Sequence, residues 1–472
     1  MHECEAAILP SVSFFAKEQY RKLNNKKVCY DITVATIKKG SGNVYRHIIQ
    51  SSIEYIENNL CSELTAQELS ETAGFSLFHY YRLFTSIVGI PVMQYITRRR
   101  LLHAAYEMSK GLKKADAALL YGFDTYAGFY KAFLREFGCT PSFYLSNFKI
   151  IKPYKISILQ EEPIMVSHKQ ITELLSTYWG MDDVTIRDVI YEGTGIKSDS
   201  LYYVDDKYVL KLSTNLGKLK NHIKISEALE KEGLLAATPV ETGSSEKYVQ
   251  YGQLYCCLTK RIQGQQILPQ DLFREDAKGD ARFIGEVIGH LSMALSDIDI
   301  VVDEANMYEG VVNWAIPMLQ KANIISNAVC RKYTEEFGGL YAGLPQQIIH
   351  RNLSPSNIIL EGSKWGIIEF ELSERNIRIF DPCYAATAIL SEFYSEGDRF
   401  AKWIEIYKEI MYGYDTVAKL SDDERKAIPY VVLSNQLQAT AWFSEQEKYK
   451  DVYEVNKLMT KSIVENFDLL LL

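Results

Sequence analysis

The strongest constraint on this chain is an internal repeat. The stretch AGFSLFHYYRLFTSIVGIP at 73–91 returns in the same grammar as YGFDTYAGFYKAFLREFGCTP at 121–141. Gly74-Phe75 corresponds to Gly122-Phe123, the caps Ser76 and Asp124 to each other, Phe84 to Phe133 and Gly89 to Gly138. The second copy has one extra residue between Gly-Phe and the later Phe. A glycine ends one helix in a tight turn, a short polar residue caps the next, and aromatic residues recur at helical spacing. Each copy therefore reads as the turn and second helix of a helix–turn–helix unit. Upstream, VYRHIIQSSIEYIENNL places Ile48, Ile49, Ile53, Ile56 and Leu60 on one helical face, and Thr65 with Glu68 offers a capping box. VMQYITRRRLLHAAYEMSKG, free of Gly and Pro from Met93 to Ser109, joins the units as a helix of roughly 25 Å.

Two such units on one rigid rod predict a groove reader. Successive major-groove faces on one side of B-DNA lie roughly 34 Å apart, and a linker helix with the width of its end units spans that gap. The first turns of helices 76–88 and 124–136 then face base edges. Leu77, Phe78, His79 and Arg82 stand there in the first unit, and Thr125, Tyr126, Ala127 and Lys131 in the second. Lys113, Lys114 and Arg135 are placed for phosphates, which position without specifying. Arg98, Arg99 and Arg100 on the rod either join them or bind neighbouring acidic residues. Charge is compatible with this partner. Residues 45–148 carry 10 Lys+Arg against 9 Asp+Glu, whereas residues 149–472 carry 35 against 47, so the acidity lies away from the repeat. The alternative is a plain helical bundle with a solvated polar face. Over about 45–148, and especially in GFDTYAGFYKAFLREFGCTP, the pattern resembles the AraC/XylS family of transcription regulators. That resemblance implies a two-unit reader of double-stranded DNA, controlled by a partner domain. Leu77 and Phe78 stand where polar readers are common, and Gly128 softens the second recognition helix, so the sequence preference is not legible.

A chain of 472 residues exceeds what one hydrophobic core organises, and two or three domains are expected. No apolar run approaches a membrane span. The start, MHECEAAILP, lacks the basic and apolar regions of a secretory signal. The eight cysteines are scattered without any C-x-x-C spacing, which suits a reducing cytosol and argues against zinc or disulfides. A cytoplasmic chain without a membrane partner follows as the expectation. Residues 1–44 read as an extension of unassigned structure and 149–180 as a connector holding one helix, KQITELLSTYW. From Val184 the grammar changes. VTIRDVIYEG, DSLYYVDD and KYVLKLS read as strands, the last two a hairpin across Asp205-Asp206. A helix over 216–232, the strand LYCCLTKRI, and long helices around 276–297 and 304–335 follow. Short strands in QQIIH, NIILEG and WGIIEFE precede helices running to the end.

Ordered pieces of this second part resemble the aminoglycoside phosphotransferase/choline kinase-like family. EGTGIKSDSLYYV, with Gly193 and Gly195, stands where that family covers nucleotide phosphates. Lys211 sits at the strand lysine. LTKRIQG sits at the adenine hinge, with Thr259, Lys260 and Ile262 in its span. HRNLSPSN is the catalytic loop, with His350 bracing it. GIIEFE stands at the metal-binding step, and RIFDPCYAA contains Asp381, which commonly braces the loop. The resemblance implies a multidomain fold class: an all-α double helix-turn-helix domain at 45–148 and an α+β bilobal kinase-like domain at 181–472. It also implies ATP or GTP with Mg²⁺, although no cofactor is fixed by the residues themselves.

The chemistry departs from the family. The loop position that should be aspartate is Asn352, a neutral amide that orients a hydroxyl but takes no proton near neutral pH. Asn357 is kept for metal, while Glu369 replaces an aspartate with a carboxylate one methylene longer. The glutamate that should pair with Lys211 falls near Asn221 or His222, with Glu227 and Glu230 further along. Two altered carboxylate positions favour a cleft that binds without efficient turnover, that is, a sensor of a small molecule or nucleotide attached to a DNA reader. The acidic balance leans towards a cationic or amine-bearing effector. An active kinase of amino alcohols, tethered to a DNA-binding module, is the first rival. A ligand-free protein–protein interaction domain is the second. A homodimer stays open.

Overall fold

The computed structural model describes residues 42–159, 164–191, 196–362, 364–394, 399–445 and 450–472. The expectations for residues 1–41 and for Gly193 and Gly195 lie outside the described residues.

The repeat folds as its grammar requires. α1 (Gly42–Asn58), α2 (Ala66–Thr72) and α3 (Leu77–Val88) make the first unit. α4 (Val92–Ser109) is the rod, and α5 (Lys114–Leu120), α6 (Tyr126–Phe137) and α7 (Pro141–Asn147) make the second. Ile49, Ile53, Ile56, Tyr80, Phe84, Tyr95, Phe129 and Phe133 are fully buried in one shared core. The Ser76 hydroxyl accepts the His79 N–H at 3.4 Å and caps α3. In the second unit the cap is Thr125, whose hydroxyl accepts the Gly128 N–H at 3.1 Å, and not Asp124. The extra residue of the second copy is absorbed before the helix starts. From Ser76 to Phe84 and Gly89, and from Thr125 to Phe133 and Gly138, the spacings are then identical. Gly89 and Gly138 end the two helices at φ +90° and +68°, left-handed conformations that favour glycine.

The rod's arginines are structural. Arg98 is 5% exposed and donates to Glu136 at 3.0 Å. Arg99 grips Glu57 through two bonds of 2.6 and 2.9 Å. Arg100 donates to the carbonyls of Leu60 and Ser62. Of the two options open to them, Arg98 and Arg99 take acidic partners, and Arg100 takes two backbone carbonyls instead.

The connector serves two cores. Ile156, Ile158 and Met165 pack into the helical one. α8 (His168–Trp179), opened by a reciprocal Ser167–Gln170 capping box, buries Ile171, Leu174 and Leu175 against the sheet that follows. That sheet is built from β1 (Ile186–Tyr191), β2 (Ile196–Val204), β3 (Tyr208–Ser213), β5 (Val249–Tyr251) and β6 (Leu254–Lys260), with α9 (Leu216–Lys231) and β4 (Leu235–Ala236) between β3 and β5 in the chain. Its antiparallel order is β1-β2-β3-β6-β5, with β4 assigned to the other lobe. The β2–β3 turn holds Asp205 and Asp206 at φ +49° and +55°, which acidic residues tolerate.

The second lobe comprises β7 (Gln265–Gln266), α10 (Lys278–Ser296), β8 (Asp303–Glu304), β9 (Gln346–Ile349), β10 (Ile358–Glu361), β11 (Lys364–Ile367) and β12 (Glu374–Ile377). Long helices at Phe380–Phe393, Arg399–Val417, Asp422–Ser444 and Lys450–Glu465 surround them with the largest core of the molecule. The expected helix over 304–335 is instead broken. It ends at Lys321, turns through Asn323 at φ +56°, and restarts behind Ser326, whose hydroxyl accepts the Val329 N–H. Apolar periodicity continues across that turn because both pieces face the same core, and periodicity alone hides the break. No described helix is long and apolar enough to cross a membrane.

Candidate functional site

In the first turn of α3, Phe78 is 72% exposed and Leu77 is also exposed. Arg82 lies over the Phe78 ring at 5.6 Å, and the half-buried His79 ring packs on Phe75 at 5.0 Å. Burial, then the nearby Arg82 charge, lowers the His79 pKa, so this imidazole is neutral at pH 7. Thr125, Ala127, Lys131 and Arg135 are exposed on α6, and Tyr126 is half-buried against Phe129. Lys113 and Lys114 are exposed where α5 begins, with Lys114 donating to Ser142 at 2.7 Å.

Between the two lobes lies a cleft of about 760 Å³. Lys211, Thr259, Lys260, Ile262, Asn352, Asn357 and Glu369 all line it. The sequence places these residues up to 158 positions apart, and the fold brings them to one cavity. The catalytic-loop segment is held from below. His350 is fully buried; its Nδ1 accepts the Asn352 N–H at 3.2 Å and its Nε2 donates to the Ile368 carbonyl at 2.8 Å. That assigns a neutral tautomer, and burial lowers its pKa to about 4. Asp381 accepts the N–H groups of His350 and Arg351, both at 2.8 Å, and permits Arg351 its φ of +70°. Burial pushes the Asp381 carboxyl up to about 7, against these two donors.

The Asn352 amide oxygen accepts the Tyr384 hydroxyl at 2.7 Å. Asn357 donates to the Asn352 carbonyl at 2.8 Å, which leaves its own amide oxygen for another partner. Lys211, 4% exposed, donates to Glu369 at 2.8 Å and to Glu371. Burial opposes its charge, but the two carboxylates outweigh burial and hold its pKa above the ordinary lysine value. Helix α9 presents no carboxylate here. Glu227 pairs with Lys247 and Glu230 with Lys260, while His222 occupies the helix position facing the lysine.

The donor set fits the implied Mg²⁺ in kind. The Asn357 amide oxygen and the second oxygen of Glu369 are hard oxygen ligands on one cavity, and a nucleotide's phosphates would complete such a shell. Bound there, the ion would neutralise phosphate charge. Lys211 would add a further positive charge, and the Thr259–Ile262 backbone would face the base.

The family described as "Helix-turn-helix domain" matches residues 69–147. The HTH-type transcriptional activator AarP of Providencia stuartii is 38% identical over 98 residues, which cover 73% of that protein and 21% of this chain. The Transposon Tn10 TetD protein of Escherichia coli is 34% identical over 101 residues, with the same shares. The chain belongs to the AraC-type helix-turn-helix family. Membership speaks for the repeat, since the match stops near residue 147. Over the remainder, similar solved structures include a microcompartment-associated aminopropanol kinase (TM-score 0.48, 13% identity, 64% of this chain and 99% of that one). An amicoumacin kinase, hAmiN, gives TM-score 0.47 and 11% identity over 64% of this chain and 93% of that one. The α+β kinase-like assignment itself rests on the strand order and loop geometry described above.

This AraC-type regulator carries its second reading unit against the kinase-like lobe. Arg98 reaches Asp199 of β2 at 3.3 Å while holding Glu136 of α6. His168 meets Asp188 of β1 at 3.1 Å, and Lys197 meets the same carboxylate at 3.0 Å. A cavity of about 860 Å³ lies between α6–α7 and β1, and Ile190, Tyr203, Arg261 and Gln266 line both it and the cleft. Sequence reasoning missed Tyr384, Glu371 and this junction. Tyr384 and Glu371 had nearby signals: Tyr384 lies three residues after Asp381 in RIFDPCYAA, and Glu371 ends the GIIEFE segment two residues after Glu369.

Proposed function

We propose that this AraC-type transcription regulator senses a small molecule or nucleotide in its kinase-like cleft and carries out little phosphoryl transfer. The observation that carries the reading is Asn352. Its position lacks a carboxylate, and its amide oxygen is already engaged by Tyr384, so no group there takes a hydroxyl proton. Electrostatic positioning by Lys211 and a metal would still bind and orient phosphates. The route from ligand to DNA is short. β1 and β2 supply Ile190 and Tyr203 to the cleft wall, Asp199 to Arg98 of the rod, which also holds Glu136 of α6, and Asp188 to His168 at the start of α8. A ligand that favours one lobe arrangement would bias how α6 is presented, which requires differential affinity for two states.

The test pairs two measurements on the full chain. Fluorescence anisotropy on a duplex selected from random sequence is measured with and without each of a panel of nucleotides and amines. ATP turnover is measured for the wild type and Asn352→Asp. A shift in DNA affinity with a ligand, together with turnover appearing only in the variant, supports the sensor. Turnover by the wild type at ordinary kinase rates, with no ligand effect on DNA, sinks it.

A further inference from the structure

We infer that Glu371, on the loop after the metal-binding step, is the positioning residue that orients Lys211 towards a nucleoside phosphate, a task the related folds give to a glutamate on the helix after β3. The inference rests on the cleft being a nucleotide site.

Three observations carry it. First, α9 has nothing acidic within reach: its residue beside Lys211 is His222, fully buried and forced neutral by burial and by the lysine's own charge. Second, Lys211 is nevertheless doubly paired, and one partner is Glu371, which does not line the cleft. Third, the histidine fixes the loop that carries the replacement. His222 Nδ1 accepts the Phe370 N–H at 3.4 Å, its ring lies 6.3 Å from the buried Phe370 ring, and Asn221 donates to the Ser373 carbonyl at 3.4 Å. The helix therefore holds the loop and the loop holds the lysine, an ion pair moved along by one link. Glu369 at φ +74° makes the turn that lets both carboxylates converge on one ammonium. Of the two, Glu369 faces the cavity and is the one left to share with a metal.

The binding of ATP and of adenosine, each with Mg²⁺, is measured by calorimetry on the full chain carrying Glu371→Gln, Lys211→Met or both. The amide keeps the side chain's size and removes its charge. A loss of about tenfold in ATP affinity is expected in each single variant, with adenosine within twofold and the double variant no weaker than Lys211→Met alone. Equal losses for ATP and adenosine would assign Glu371 a merely structural role. Additive losses in the double variant would separate it from Lys211. Either result overturns the inference, as does unchanged ATP affinity in Glu371→Gln. Wild-type protein that binds neither ligand overturns it together with the nucleotide reading of the cleft, and the DNA-affinity screen with amines then stands alone.

Discussion

At the residue scale, most of the charged side chains that decide this molecule are buried and committed. Arg98 and Glu136 are both nearly sealed from water, at 6% and 7% side-chain exposure. A buried pair adds little over a well-packed apolar pair, but stripping one partner strands the other charge. Arg98→Ala is therefore expected to lower stability by about 3 kcal/mol, read as a shift in urea midpoint. Arg98→Met with Glu136→Leu should recover most of it. His350 makes a pH prediction. Its folded pKa, lowered by burial to about 4, lies below the ordinary value of 6.5, so the unfolded chain binds the proton first. Stability is present above pH 6.5 and falls as the pH drops towards 4, by up to about 3 kcal/mol from this group. Denaturation midpoints at pH 7 and 5 check the slope, which should flatten in His350→Gln.

At the element scale, the two glycine-ended recognition helices are not equivalent. A Cβ on Gly89 would meet nothing within 4 Å, whereas one on Gly138 would stand 2.0 Å from His168 Nδ1. Both residues have left-handed backbones, so alanine costs each about 1 kcal/mol in strain. Gly138→Ala must in addition displace the His168 ring, and its destabilisation is expected to exceed that of Gly89→Ala by a further 1–2 kcal/mol or so. His168→Ala in the same chain should remove the excess, a coupling that a double-mutant cycle measures. Much of this element level is legible from the residues. Caps, glycine stops and apolar stripes are local signals, and they place α1 to α4, α6 and β1 to β3. The cap at Thr125 and the break at Asn323 escape because each depends on which residue the core pulls inward, and one extra residue leaves two registers equally plausible locally.

At the scale of the whole molecule, β1 and β2 both line the cleft and pair with Arg98 and His168 on the helical side. Replacing Lys113 or Lys114 by alanine should weaken binding to all duplexes alike and reduce the slope of log affinity against log salt by about 0.9 for each phosphate that is no longer neutralised. Replacing Phe78 should change preference among duplexes and leave that slope untouched. Asp199→Asn removes a charge that Arg98 shares between the lobe and α6. It is expected to reduce the effect of a cleft ligand on DNA affinity, measured by anisotropy, while ligand affinity itself stays within a few fold.

The chain's own order of residues was enough to reveal two helix-turn-helix units on a rod, through periodicity and turn chemistry, which act within a few residues. The α+β kinase-like second part, and the loop with Asn352 where an aspartate is expected, were read from a family resemblance carried by short ordered segments. Tertiary structure alone decided that the rod's arginines face inward, that Tyr384 occupies the Asn352 amide, that Glu371 holds Lys211, and that the second unit leans on the lobe. Each of these is a pairing of buried charges or hydrogen-bonding groups brought together from distant stretches, and burial makes such groups find a partner without specifying locally which one.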